Sequence, residues 1–470
     1  MAFRMLRLLM VLGGCLVLTG VFAHGTERGL VLLLPTRFYL VGGTLAVTAS
    51  FLLLAFIPAR PVSRVLKWRS PGIALPGDIS FWTSLGSTLF LFCLVAAGFL
   101  GSRDPAINPL PVFVWTLWWI VFFLLQAVVG NLWGLFNPWS AVAGLIRRFI
   151  GIGELPLRLP KSVAYWPAIF QFFGVAWFEL VSISPVDPFV LGVCVLAYWV
   201  FNLFCLLVFG DKQWFERGEP FAVFFRLIGE LAPIRTTCRE GKKSLGLVFP
   251  GHGYLGLPAL PFTGVLFVLL TLSSVSFDSL LRTFFWLAQI GINPLAFPGR
   301  SAVLMPNGVG LVLVFFTLSA VFFLVCWLGY RQTGGKVNFA EIAGRFIYSI
   351  IPVSIVFHFA HYLGVLLING QYALLAFNDP FALGWNLFGI SHYHVTASFF
   401  LHIESVRSIW TVQTVAITAG HIIGIVIAHG IAIEMFRQAH IAVRSQLYLA
   451  LLMIGYTWFG LWLLSTASIG

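Results

Sequence analysis

Four histidines stand in stretches that otherwise carry apolar side chains: His358 and His361 in one, His421 and His429 in another. Ionisable residues inside a membrane normally face a protein interior or a wet cavity and mark functional positions. The chain has ten histidines, and His24, His392, His394 and His402 fall on the same side of the membrane by the charge pattern below. With a rise of about 1.5 Å per residue, His358 and His421 come to similar depths and are expected to meet. His358 and His361 share a helix face, being three residues apart. Gly420, Gly424 and Ala428 form a small-residue row that lets a second backbone approach.

Such a cluster suits three chemistries. Neutral imidazoles at His358, His361 and His421 could hold a divalent metal, zinc or copper, that generates hydroxide near neutral pH. Two histidines at matched depth could instead hold a haem. An N-terminal His24 offers copper its free amine and ring nitrogen. Carboxylates available as ligand or general base are Glu179, Asp187, Asp278, Asp379 and Glu404, with Asp278 and Asp379 the preferred pair beside His361 and His421. The bland alternative is a hydrogen bond from each histidine to a neighbouring helix. Asp278 could simply pair with Arg282 one turn later, and Glu179 could be solvated. In "GISHYHVTASFF" the H-x-H spacing of His392 and His394 points both rings one way if the segment is extended, so a surface metal clamp competes with a polar loop.

The elements that must carry these side chains follow from composition. The sequence is 59% hydrophobic and 9% charged over 470 residues, against roughly 25% charged in soluble domains. Apolar runs of about 20 residues match a helix crossing a hydrocarbon core, and their continuity excludes barrel strands. The expected fold is all-α and polytopic, with ten spanning helices near 38–58, 79–100, 112–132, 162–182, 187–210, 261–281, 307–330, 345–369, 409–433 and 446–466. Residues 1–23 read as a signal peptide: Arg4 and Arg7, a short apolar stretch, then Val21 and Ala23 before a cut that exposes His24. An uncleaved first helix and a lipoprotein signal at Cys15 are the competing readings. Residues 24–470 then form one transmembrane domain, with "PFAVFFRLIGELAPI" in 211–260 read as a cytoplasmic helix lying along the interface.

Charge gives an independent test. Of 28 Lys and Arg, 20 fall in the loops after helices 1, 3, 5, 7 and 9, six on the opposite side and two in the signal. This bias puts the mature N-terminus in the periplasm of a bacterial inner-membrane protein. Anionic lipid explains the net charge of +12, so no nucleic-acid partner is needed. The cysteines form no metal motif or disulfide framework. No Gly-rich phosphate loop, G-x-S-x-G elbow or HExxH occurs, and no matched pair of broken helices marks a transporter.

Several blocks resemble bacterial integral membrane proteins described as fenitrothion hydrolases. They are "GDKQWFERGEPFAVFFRLIGELAPI" (210–234), "SSVSFDSLLRTFFW" (273–286), "AHYLGVLLINGQ" (360–371), "DPFALGWNLFG" (379–389), "IWTVQTVAITAGHIIGIVIAHGIAIEMF" (409–436) and "RSQLYLALLMIGYTWFGLWLLS" (444–465). The resemblance implies hydrolysis of an organophosphorus triester at the aryl ester bond, in the membrane, with a second membrane subunit as a partner. His361, His421 and His429 match the family pattern; His358, His392 and His394 rest on the residue-level reading. The expected activity is therefore metal-assisted hydrolysis of a hydrophobic small molecule partitioned into the lipid bilayer, at a histidine-rich site near the periplasmic side. The alternative is a copper- or haem-binding redox or metal-handling subunit.

Overall fold

Runs of apolar residues long enough to span a bilayer must satisfy every backbone group internally, and helices do so within one segment. The structure, a computed structural model, describes residues 34–57, 59–74, 79–151, 157–239, 242–335, 337–436 and 438–468. The expected signal peptide 1–23 and His24 lie outside the described residues.

Eleven helices matter here. They are α1 (Thr36–Phe56), α2 (Ser80–Leu100), α3 (Pro109–Val129), α4 (Trp166–Leu180), α5 (Pro188–Phe209), α6 (Pro220–Gly229), α7 (Phe262–Leu281), α8 (Arg300–Arg331), α9 (Ile351–Asn378), α10 (Ile403–Met435) and α11 (Ala439–Ser465). Among the described residues nine helical spans are long and apolar enough to cross a membrane, α9 counting with the turns that lead into it from Phe339. The chain is a multi-pass, almost wholly helical protein. The segment expected at 162–182 departs from the other spans. It yields only the 15 residues of α4, because turns occupy 161–165, Pro167 fixes the first helical turn, and the helix stops before Pro185.

The bundle is built around α7. Of its residues only Phe262 and Leu280 escape burial, so this helix meets protein on every side. Its polar run therefore turns inward. Thr271, Ser273, Ser274 and Ser276 each donate to a backbone carbonyl three or four residues back, which makes hydroxyls tolerable at that depth, while the Ser279 hydroxyl lies 3.2 Å from the Val275 carbonyl and 2.9 Å from Nδ1 of His361. Helix α9 packs beside it, and α10 packs against α9. A Cβ at Gly420 would stand 2.4 Å from Val356, and one at Gly424 would stand 2.7 Å from the Ser349 carbonyl, so the small-residue row does bring the two backbones together.

Two parts of 211–260 differ from the sequence reading. Helix α6, expected along the interface with one face wet, has nine of its ten residues buried, packed against Trp118, Phe123, Phe172 and Phe267. Its N-terminus is tolerated inside because buried Glu219 caps it, accepting from the Phe221 and Ala222 amides, the Trp133 indole and the Tyr198 hydroxyl. The segment that follows forms strands, an addition to the all-α expectation. β1 (Ile73–Ala74), β2 (Ile234–Arg239) and β3 (Lys242–Leu247) make a small antiparallel sheet in the order β1-β3-β2.

Candidate functional site

The last turn of α7, the last turn of α4 and the first residue of α8 converge against the middle of α9. Asp278 and Ser279 come from α7, Glu179 from α4, and His361 and Tyr362 from α9. Arg300, opening α8, donates to the Glu179 main-chain carbonyl at 2.6 Å and so ties α8 to α4.

His361 is the hub. Its Nε2 lies 2.8 Å from Oδ2 of Asp278, and its Nδ1 lies 2.9 Å from the Ser279 hydroxyl oxygen. A carboxylate against Nε2 favours the tautomer with hydrogen on that atom, which leaves the Nδ1 lone pair facing Ser279. The His361 side chain keeps 11% of its surface exposed while Asp278 keeps 6%, so the ring is the accessible member. Tyr362, the next residue, reaches the same carboxylate. Its hydroxyl is 2.6 Å from Asp278 Oδ2 and 2.8 Å from Glu179 Oε1, and it accepts a hydrogen bond from the Trp119 indole at 3.3 Å.

His358 belongs to the wall of this site. Its Nε2 donates to the Trp119 carbonyl at 2.7 Å, and its ring lies on Phe123 and Tyr362 at centroid separations of 4.0 and 4.7 Å. Trp119 sits in the ten-residue stretch Phe113–Phe122 of α3 that winds as a π-helix. Such windings are rare and frequent at functional sites.

The other expected site residues go elsewhere. His421 does not meet His358: its Nδ1 donates to the Ile417 carbonyl one turn back, and its ring faces Phe357 and Tyr456. The two histidines have different neighbours, His358 on α3 and His421 between α9 and α11. Among the described residues Nε2 of His421 has no hydrogen-bond partner, and the residue lines an apolar cavity of only about 10 Å3. His429 accepts from the Gln446 amide at 2.6 Å. Asp379 caps a loop, accepting from the amides of Leu383 and Gly384. It follows the end of α9, 18 residues beyond His361 and so roughly 27 Å along the helix axis. Asp187 caps α5 and pairs with Arg103, Glu404 pairs with Arg407, and Asp278 is held by His361 and Tyr362 in place of the expected Arg282. His392 and His394 are exposed in an irregular loop, where the Tyr393 amide bonds back to Ile390 and no strand forms.

The side chains expected to hold a metal or haem are bonded to protein groups or lie apart from one another. Both ring nitrogens of His361 are engaged, Nε2 of His358 is committed to a carbonyl, and His421 stands alone. Among the described residues no three His, Cys, Asp or Glu side chains converge in a way that could hold an ion. The copper expectation at His24 concerns a residue outside the described ones.

Two members of the site escaped the sequence reading. Ser279 and Tyr362 each adjoin a residue that was singled out, Asp278 and His361, and that adjacency was the available signal. A third feature is a cavity of about 770 Å3 on the far side of α3 and α4, walled by Trp115, Trp118, Trp133, Trp139, Phe178 and Tyr198 among others. The indole N–H groups of Trp115, Trp133 and Trp139 are all bonded within the protein, so the walls offer ring faces and edges to an occupant. Trp118 and Phe178 line the cavity while their chain neighbours Trp119 and Glu179 belong to the polar site, so the same two elements wall both. Comparison of the chain with protein-family models, with curated protein sequences and with solved structures gives no match.

Proposed function

We propose that this chain is a membrane-embedded hydrolase of apolar esters, with His361 as general base, Asp278 as its orienting carboxylate and Ser279 as the nucleophile. The observation that carries the reading is the imidazole of His361 held between a carboxylate at 2.8 Å and a hydroxyl at 2.9 Å. That connectivity has the logic of a Ser-His-Asp triad, recognised by roles and geometry and not by chain order. Here the carboxylate faces Nε2 and the hydroxyl faces Nδ1.

Organophosphorus triesters of the fenitrothion type are the substrate class that the sequence resemblance names. With such an ester, Ser279 Oγ attacks phosphorus while its proton passes to Nδ1 of His361. Asp278 stabilises the imidazolium that forms, and the aryloxide leaves with that proton as a phenol. Water then gives a proton to His361 and its oxygen to phosphorus, the P–Oγ bond breaks, and Ser279 regains its hydrogen. The net change is triester and water to diester acid and phenol. No step needs a bound metal, and the engaged imidazole nitrogens favour that economy.

The aromatic cavity supports an apolar substrate. Its volume lies within the roughly 300–1,000 Å3 range of small-molecule sites, and a compound dissolved in lipid can collect there before reaching the wall it shares with the polar cluster. The Lys and Arg bias assigns the ends of α4 and α7 to the periplasmic side, which is where this reading puts the site.

The test is anaerobic release of nitrophenol from a nitrophenyl phosphorothioate triester by the purified full-length chain in lipid nanodiscs, without electron donors. His361→Ala and Ser279→Ala should each lower turnover by at least about a hundredfold while the protein still inserts and purifies. Turnover unchanged in both variants would remove the site.

A further inference from the structure

A hydrogen count at Tyr362 gives a result that hydrolysis alone does not require. The phenol has one hydrogen and faces two carboxyl oxygens, Asp278 Oδ2 at 2.6 Å and Glu179 Oε1 at 2.8 Å. The Trp119 indole already donates to the phenol oxygen. If both carboxyls were ionised, one of them would face the phenol with no hydrogen between two acceptor oxygens. Such a contact is costly where water is scarce. One of the two carboxyls must therefore carry a proton.

We infer that the proton belongs to Glu179, which is a neutral acid at rest and the outer end of a short proton path running through Tyr362 to Asp278 and His361. Asp278 is the poorer candidate because its Oδ2 has two hydrogen donors close by, Nε2 of His361 and the phenol, and both stabilise the ionised form. Among the described residues the phenol is the only side-chain hydrogen-bond partner of the Glu179 carboxyl. The Arg300 guanidinium nearby spends its hydrogen bond on the Glu179 main-chain oxygen. The charged and titratable groups near Glu179 on the packed elements are Asp278 from α7, Arg282 just beyond its end, Arg300 from α8 and Tyr362 from α9. Glu179 and Tyr362 thus donate in series, carboxyl to phenol and phenol to carboxylate.

The arrangement can pass one proton in either direction. Moving inward, Glu179 gives its hydrogen to the phenol oxygen as the phenol gives its own to Asp278, so Glu179 ends ionised and Asp278 neutral. Moving outward, the same two transfers reverse. Hydrolysis of a triester yields a diester acid, so one proton per turnover must leave a largely buried site, and Glu179 lies one residue from the end of α4. This role in turnover rests on the hydrolase reading; the protonation of Glu179 does not.

The experiment is infrared difference spectroscopy of the full-length protein in nanodiscs at neutral pH, wild type minus Glu179→Gln, read in the carbonyl stretch of protonated carboxylic acids. A band present in the wild type and missing from the variant supports the inference. Tyr362→Phe, which leaves both carboxyls in place, should shift that band by removing its hydrogen-bond acceptor. If Glu179→Gln fails to purify, the Tyr362→Phe shift decides alone. No band lost in Glu179→Gln, or a band unmoved in Tyr362→Phe, overturns the inference. Nitrophenol turnover is measured on the same samples, and Glu179→Gln should lower it at least about tenfold. A band without turnover would sink the hydrolase reading and leave the protonated Glu179 standing. Turnover without a band would do the reverse.

Discussion

His361 on α9 and Asp278 on α7 meet at 2.8 Å although 83 positions separate them in the sequence. The pair joins the most buried helix of the bundle to the helix that carries the accessible imidazole. If Asp278 fixes the tautomer of His361, Asp278→Asn should be far more harmful than the loss of one surface charge. An Asn amide against Nε2 can turn its N–H toward the ring and place the hydrogen on Nδ1, where the base must be free. Turnover should fall about 10²- to 10⁴-fold with little change in KM, measured as nitrophenol release in nanodiscs.

His421 should behave in the opposite way. It lies in the tight seam between α10 and α11, and its Nε2 is buried with no partner among the described residues. An unsatisfied buried polar atom costs about 1–3 kcal/mol. His421→Leu removes that atom at similar volume, so the variant should keep wild-type turnover and melt at the same temperature or higher in detergent. A hundredfold loss of turnover would return His421 to the active site.

Chelation gives a third outcome. With both ring nitrogens of His361 occupied, turnover should survive prolonged treatment with EDTA, and elemental analysis of the active protein should find no stoichiometric zinc or copper. Activity lost to EDTA and restored by added zinc would contradict the assignment of His361 as a metal-free base.

Asp187 offers a check on the start of α5. The Val190 amide, with the Arg103 guanidinium and the Phe189 amide, holds the Asp187 carboxyl below its ordinary value. A depressed pKa contributes stability that is fully present above the unfolded value of about 3.9 and is lost as pH falls through the folded one. Asp187→Ala should therefore lower stability by about 1 kcal/mol at neutral pH through the lost cap. The difference in melting temperature between wild type and variant should shrink below about pH 4.

The legible part of this molecule was the part governed by the bilayer. Continuous apolar runs announced the helices, and the rarity of ionisable side chains within them drew notice to His361 and Asp278. Geometry between helices was not legible. Helical periodicity gives the azimuth of His358 relative to His361 on one helix, but says nothing about which way His421 points on the next. Matched depth therefore failed to predict contact. Asp379 looked close because α9 was expected to end near residue 369, whereas the helix runs on to Asn378 and carries that carboxylate away. Ser279 and Tyr362 were passed over because hydroxyls are common and cheap in membrane helices, where a backbone carbonyl one turn back satisfies them. The burial of α6 was hidden by Arg226 and Glu230, which gave the segment an amphipathic look. The cap from Glu219 that lets the helix enter the bundle depends on Trp133 and Tyr198, far away in sequence.

The most direct measurement is mass analysis of the protein after brief reaction with an organophosphorus ester whose phosphoryl-enzyme turns over slowly. One phosphoryl group should be found per chain, on the peptide containing Ser279, and His361→Ala should not acquire it. Steady nitrophenol release with no adduct at Ser279, or an adduct that forms equally well without the imidazole of His361, would contradict the assignment.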